Sequence, residues 1–200
     1  MLNVAETCVG THALGPGRRS VVWVQGCPFH CAGCLAPEWI PDVPARRVAP
    51  VDLAAELLAD PAVTGLTFSG GEPMEQAAGL AETARLARRA RPDLTLVCFT
   101  GHRLERLRDR PPNPGVPALL AAADVLIDGL YVAVRDDDRG LRGSANQRVH
   151  HLTDRLRHVD LTGGPRRIEV RMRGAEALFV GVPSRAMAAL YPPADGRSAQ

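Results

Sequence analysis

Short β-branched runs alternate with amphipathic stretches along this chain, and that alternation constrains its fold more than any other feature. RSVVWVQ (19–25), AVTGLTF (62–68), LTLVCF (94–99) and DVLID (124–128) are apolar runs of strand length. Residues 51–59 carry Val51, Leu53, Ala54, Leu57 and Leu58 at helical spacing before Asp60-Pro61 stops them. Residues 75–90 place Leu80, Ala84 and Ala87 on one stripe and arginines on the other face. Shorter helices are expected at 102–109 and 116–123. Strand, helix, strand in repetition makes parallel βαβ units with right-handed crossovers. In such folds ligands gather at the C-terminal ends of the strands. The unusual segments all fall there: a cysteine loop after residue 25, SGGEP at 69–73, Thr100-Gly101 and Asp128-Gly129.

Length limits how far this pattern can go. A closed barrel of eight such units takes about 250 residues, and this chain has 200. The expected class is therefore α/β, an incomplete and open parallel βα barrel. After residue 152 the character changes. RRIEVRMRG and EALFVGV alternate and meet at Gly174, which predicts a β-hairpin. A short helix, SRAMAAL, and a polar, disordered tail are expected to finish the chain. The division expected is a core over 1–152 and an extension over 153–200.

QGCPFHCAGC, residues 25–34, holds Cys27, Cys31 and Cys34 on a loop containing Pro28 and Gly33. Three thiolates can grip a [4Fe–4S] cluster that normally takes four, which leaves one iron open, as catalytic metal sites leave a position open. Three alternatives stand beside this reading, one of them a purely structural thiol cluster with no metal. A zinc site could recruit His30, His12 or Cys8, and a conventional electron carrier would need Cys8 or Cys98 as fourth ligand. Cys98 lies within an apolar run and reads most simply as a small buried hydrophobe, with Cys8 a bystander. His12, His102, His150 and His151 read as structural or exposed.

Composition excludes several other classes. Hydrophobic residues make up 46% and charged residues 23%, as in ordinary globular proteins. A net charge of +2 gives no footprint for nucleic acid or an anionic membrane. All 24 basic residues are arginine, as in the products of GC-rich genomes. No apolar run approaches the roughly 20 residues of a membrane span, and MLNVAETCVG lacks the features of a signal peptide. The expected location is cytoplasmic, where thiols stay reduced and five cysteines argue for metal ligation over disulfides.

The spacing CxxxCxxC after a first strand, followed by SGGEP after a second, resembles the radical S-adenosylmethionine (SAM) superfamily. GPGRRSVVWVQGCPFHCAGC, SGGEP, FTGHRLERL, DVLIDGLYV and RGSANQRVHHL are together similar to the activating proteins of anaerobic ribonucleoside-triphosphate reductase, over residues 3–152. The resemblance implies a [4Fe–4S] cluster on Cys27, Cys31 and Cys34 whose fourth iron binds SAM. It assigns Gly33, Ser69, Gly70, Gly71 and Glu72 to SAM, with Thr100 and Asp128 as further contacts. It implies reductive cleavage of SAM to a 5′-deoxyadenosyl radical, a glycyl-radical enzyme as partner and a low-potential reductant such as flavodoxin. Arg142 to Gln147 would order the far side of the site or meet the partner. Leu130 departs from the polar or basic residue that related activators often carry. Other uses of the same core are modification of a peptide or small metabolite and, from another class, a non-catalytic iron–sulfur or zinc protein.

Overall fold

A computed structural model of the chain describes residues 1–174 and 176–190. Four parallel strands form the centre of the fold: β2 (Arg19–Val24), β4 (Gly65–Gly70), β5 (Thr95–Thr100) and β6 (Val125–Asp128). Each falls on one of the apolar runs. β2 and β6 are buried at every position, because both faces of the sheet are covered. Helices α1 (Pro50–Leu57) and α2 (Ala77–Ala90) make the first two crossovers. α3 (Leu104–Asp109) and α4 (Val116–Ala122) together make the third.

The sheet has seven strands in the order β3-β1-β2-β4-β5-β6-β7. β1 (Leu2–Thr11) lies antiparallel to β2, and β3 (Arg46–Val48) lies antiparallel to β1. β7 (Arg148–His151) lies antiparallel to β6. The result is a mixed, mostly parallel α/β sheet with two separate edges, β3 and β7. The three antiparallel strands lie outside the strands read from sequence.

Two apolar cores sandwich the sheet. On one face Val22, Phe68, Leu96 and Leu126 pack with Leu53, Leu57, Leu80, Leu107 and Leu119 of the helices. On the other face Val21, Trp23, Val97, Val125 and Ile127 are covered by Leu141, Leu156, Leu161, Val180 and Val182. Alternate residues along β2 and β6 serve opposite cores, as the two-residue period of a strand requires. The second cover comes from late in the chain: the hairpin β8 (Ile168–Arg173) and β9 (Glu176–Gly181), followed by α5 (Arg185–Leu190). Hairpin and final helix thus appear where the sequence predicts them. The tail expected to be disordered lies outside the described residues.

Candidate active site

Each parallel strand delivers one wall of a cavity of about 520 Å³ at the C-terminal end of the sheet. β2 leads into the cysteine loop. Its base is stapled by two backbone bonds, Gly26 N–H to the Trp39 carbonyl and Cys27 N–H to that of Ile40, both 3.0 Å. Gln25 Nε2 adds a bond of 2.7 Å to the Pro41 carbonyl. Cys34 N–H donates to the Cys31 carbonyl at 3.1 Å, tightening the last turn of the motif. Gly33 there has φ +73°, in the left-handed region that favours glycine. Under the loop the rings of Trp23 and Trp39 lie 5.4 Å apart.

Cys27, Cys31 and Cys34 all line the cavity and are partly exposed. Burial raises the pKa of Cys27 to about 11, with the charges of Glu72, Cys34 and Cys31 adding to the rise. Cys34 is raised by burial too, and Cys31 adds to it. The thiols are thus close enough to oppose one another's ionisation. A bound cation reverses that penalty and holds coordinating thiols deprotonated. Among the described residues no three His, Cys, Asp or Glu side chains converge on one metal-ion position. A four-iron cluster instead takes its thiolates at separate irons. Cys8 and Cys98 are buried in the two cores and do not line the cavity. The donor set on the cavity wall is therefore three thiols, which fits a cluster with one iron left open.

β4 supplies the facing turn. Its ladder to β5 ends at Phe68↔Cys98, whereas its ladder to β2 runs on to Val24↔Gly70. Ser69 and Gly70 lie past the last β5 pair and line the cavity. The two glycines are needed for packing as well. A Cβ at Gly70, where φ is +106°, would collide with the Val24 backbone, and one at Gly71 would collide with the Gly26 carbonyl. Gly71 N–H donates to the Val24 carbonyl at 2.8 Å and Glu72 N–H to that of Gly26 at 2.9 Å. The SGGEP turn is thereby locked against the root of the cysteine loop.

Glu72 is 1% exposed and ties this turn to the next strand. Its Oε1 accepts from Met74 N–H at 2.9 Å and from the Thr100 hydroxyl at 2.8 Å. Its Oε2 accepts from Gly101 N–H at 2.8 Å. Burial raises its pKa to about 7 against these three donors. Glu72 and Thr100 both line the cavity, so the structure brings them together as a bridge between the two strand ends.

Asp128 is placed differently. It is fully buried, and its carboxylate accepts from Leu104 N–H at 2.7 Å and from Arg148 at 2.9 and 2.5 Å. His150 Nε2 stands 3.0 Å away. Hydrogen bonds from Arg148 and Leu104 hold the pKa of Asp128 low despite burial. Asp128 is not among the cavity-lining residues; Gly129 after it is. His102 meets Phe29 edge-on at 4.8 Å.

The segment Arg142–Gln147 orders the far wall. Gln147 Nε2 donates to the Gly129 carbonyl at 2.7 Å, while its Oε1 accepts from Gly143 N–H at 2.8 Å. Asn146 Nδ2 donates to the Leu130 carbonyl at 2.8 Å. Tyr131 lines the cavity, and its hydroxyl donates to Asp136 at 3.3 Å. Burial raises the Tyr131 pKa to about 12. Sequence reasoning missed Tyr131, Trp23 and Trp39, whose apolar surroundings carry no spacing signal. It also missed Leu178, Phe179, Val182 and Met187, which reach the cavity from the C-terminal extension.

A cavity at the ends of parallel strands, rimmed by three thiols and a glycine turn, defines an iron–sulfur protein of the single-cluster class. A family model described as "4Fe-4S single cluster domain" matches residues 13–150. The anaerobic ribonucleoside-triphosphate reductase-activating protein of Vibrio cholerae is 34% identical over 149 residues, covering 70% of this chain and 91% of the relative. The protein of that name from Escherichia coli K12 is 30% identical over 146 residues, covering 69% and 91%. A pyruvate formate-lyase-activating enzyme of Staphylococcus aureus is 37% identical over 68 residues, covering 31% and 27%. The chain belongs to the family of anaerobic ribonucleoside-triphosphate reductase-activating proteins, in the radical SAM activase branch.

Proposed function

We propose that this chain is a radical SAM enzyme that generates a glycyl radical on a partner enzyme of the anaerobic ribonucleotide reductase type. One observation carries the reading: three cysteines without a fourth face the SGGEP turn across a single cavity. Cys27, Cys31 and Cys34 would hold the [4Fe–4S] cluster. When bound, cluster and SAM supply the one-electron chemistry that lets a hydrogen atom be taken from the substrate.

The chain's own residues bind, orient and exclude water. Gly33, Ser69, Gly70 and Gly71 put backbone against the cofactor, where carbonyls can accept from its ammonium group. Glu72 adds acceptor capacity, since a carboxylate can take more than the three bonds it already makes. Thr100 fixes the Glu72 rotamer. Asp128 would act on SAM indirectly, through α3, whose first N–H (Leu104) it accepts, and through its neighbour Gly129 on the cavity wall. The Trp23–Trp39 pair and Phe99 keep the floor apolar.

The mixed sheet is read as an opened βα barrel, with residues 1–152 as its core and 153–200 as an extension, of which Leu156, Leu161, Val180 and Val182 cover one face of the sheet. The natural reductant is a low-potential carrier such as flavodoxin, in a cytoplasmic setting. Among the described residues no helix is long and apolar enough to cross a membrane. The deciding experiment is anaerobic reconstitution and dithionite reduction, with assay of 5′-deoxyadenosine, methionine and, with the partner present, a glycyl-radical EPR doublet. Products formed only in the presence of the cysteines support the reading. A reducible cluster that neither binds nor cleaves SAM sinks it, and cleavage that modifies a small molecule but no protein reassigns the substrate.

A further inference from the structure

The family match ends at residue 150, yet one wall of the cavity comes from residues 168–188. The last part of that wall, residues 183–188, leads from β9 into α5, and Pro183, Met187 and Ala188 line the cavity. This strap lies in no strand, so no ladder of backbone bonds seats it.

Two residues tie it down. The first is Arg166, whose side chain is 3% exposed and whose fork spans two walls. Its Nη1 donates to the Pro183 carbonyl at 2.8 Å, and its Nη2 donates to the Gly143 carbonyl at 2.9 Å. Pro183 and Gly143 both line the cavity, one from the extension and the other from the matched region. Nη2 also donates to the Arg142 carbonyl at 2.9 Å and pairs with Asp136 at 2.8 Å. Asp136 accepts in turn from the hydroxyl of Tyr131, a third lining residue. The second tie is Asp138. Its Oδ1 accepts from Arg185 N–H at 2.7 Å, and its Oδ2 lies 3.5 Å from Arg185 Nε. Arg166 reaches the same carboxylate at 3.4 Å. Among the described residues Asp138 is the one non-glycine with positive φ, +57°, a conformation that surrounding contacts must hold.

The base of the extension is held separately. Gly140 N–H donates to the Gly164 carbonyl and Leu141 N–H to that of Leu161, both at 2.8 Å. Arg171 Nη2 holds β8 to the Gly10 carbonyl, also at 2.8 Å. Loss of the Arg166 tie therefore frees the strap and leaves the hairpin seated.

We propose that Arg166 and Asp138 are positioning residues that clamp the strap onto the cavity and so limit the size of solute that reaches Cys27, Cys31 and Cys34. Neither lines the cavity; they act through Pro183, Gly143 and Arg185. Arginine suits the place because its planar fork meets acceptors on two walls at once, whereas a lysine ammonium is a point charge on a flexible stem. A clamped strap keeps water and bulky solutes from whatever the thiols hold. This deepens the activase reading, on which it rests only for the identity of the group behind the strap.

The test uses the full apoprotein with reduced thiols and two maleimides, N-ethylmaleimide and a polymeric one built on poly(ethylene glycol). Each rate is normalised to that with glutathione and read by mass spectrometry as loss of unmodified peptide after digestion at arginine. Residues 20–46 carry the three loop cysteines on one such peptide, apart from Cys8 and Cys98. In the wild type the polymer should label that peptide at least about tenfold more slowly than the small reagent. Arg166→Lys, which keeps the charge beside Asp136, should raise the polymer's rate about tenfold and the small reagent's less than about twofold. Asp138→Gly suits the positive φ and leaves Arg166 its Asp136 partner, so it should raise the polymer's rate about threefold. Cys8 and Cys98, buried in the two cores, should stay as slow as in the wild type. Equal rates for both reagents in the wild type, no change in either variant, or equal acceleration of both reagents overturns the proposal. Labelling of Cys8 and Cys98 in step with the loop in both variants means that the fold has opened rather than the strap, and also overturns it. No step involves iron or SAM, so failure here is distinct from failure of the radical SAM reading.

Discussion

The two ends of the parallel sheet solve the same problem with opposite kinds of group, a buried guanidinium at one and a buried carboxyl at the other. At the N-terminal ends, Arg19 of β2 is fully buried. Its guanidinium donates to Thr67 Oγ1 at 2.7 Å, Thr95 Oγ1 at 3.0 Å, the Pro16 carbonyl at 3.1 Å and the carbonyl of Leu66. It thereby stitches β2, β4 and β5 together. Burial pulls its pKa down to about 9, with Asp124 opposing the fall, so it stays charged at neutral pH. At the C-terminal ends Glu72 stitches β4 to β5 in the same way, with three donors where Arg19, counting the Thr95 carbonyl at 3.3 Å, has five acceptors. The difference lies in what surrounds each group. Arg19 is walled in by its own acceptors, whereas Glu72 borders an open cavity and keeps unused lone pairs. One end is closed by its own hydrogen bonds, and the other borders a cavity.

The largest effect should come from the open end. Cys31→Ala is expected to abolish SAM cleavage, with a loss of more than about a hundredfold, and to lower iron bound per chain. Because Cys31 is partly exposed, its removal should leave the urea midpoint of the apoprotein unchanged within error. Retention of full activity would break the assignment of the open end. At the closed end, Arg19→Met should behave in reverse. It strands buried carbonyls and hydroxyls of β4, β5 and the Pro16 turn and should cost about 3 to 5 kcal/mol in urea unfolding. The protein that remains folded should still take up iron. A cost under about 1 kcal/mol would show that the Arg19 network is not what closes that end.

Sequence reading recovered the parallel centre of this molecule and missed its margins, for physical reasons. β2, β4, β5 and β6 are buried runs with abrupt ends, and α1 and α2 have clear stripes, so local pattern suffices for them. β1 alternates weakly and β7 contains two histidines and an arginine; both become strands because a neighbouring edge offers them partners. At the site, spacing within a few residues marked Cys27, Cys31, Cys34 and Ser69–Glu72 as candidates, and the structure sets all of them along one cavity. Asp128 sits at a strand end, as the pattern implies, but its carboxylate is turned to Arg148 and α3 by contacts no local pattern contains. Leu178 and Phe179 reach the cavity only through the packing of the hairpin on the second core.

The comparison sharpens with pH. Unfolded, Glu72 ionises near its ordinary value of 4.5, but folded it holds its proton to about 7. Between those values the native state binds the extra proton, so stability falls as pH rises. The slope is about 1.4 kcal/mol per pH unit, and the loss about 3 kcal/mol in all. Below 4.5 and above about 7 this contribution is flat. Glu72→Gln should remove that fall from the pH profile of urea unfolding, while Arg19→Met leaves it in place. An unchanged profile in Glu72→Gln would mean the carboxylate is ionised throughout.

The smallest effect, and the finest test, belongs to Thr100→Val. The substitution keeps the shape of the side chain and removes the hydroxyl that donates to Glu72 at 2.8 Å. A neutral carboxyl loses an ordinary hydrogen bond, worth about 1 kcal/mol, so that is the cost expected near pH 5. An ionised carboxylate loses a charge-assisted bond, worth about 2 kcal/mol, so the cost near pH 8 should be larger. The gap between the two costs is a rise in the pKa of folded Glu72, because the lost donor favoured the charged form. Urea unfolding of wild type and Thr100→Val at both pH values reads it directly. Equal costs at both would mean that the Thr100 hydroxyl does not distinguish the two protonation states of Glu72, so the bridge between β4 and β5 would not be what sets the charge at the open end.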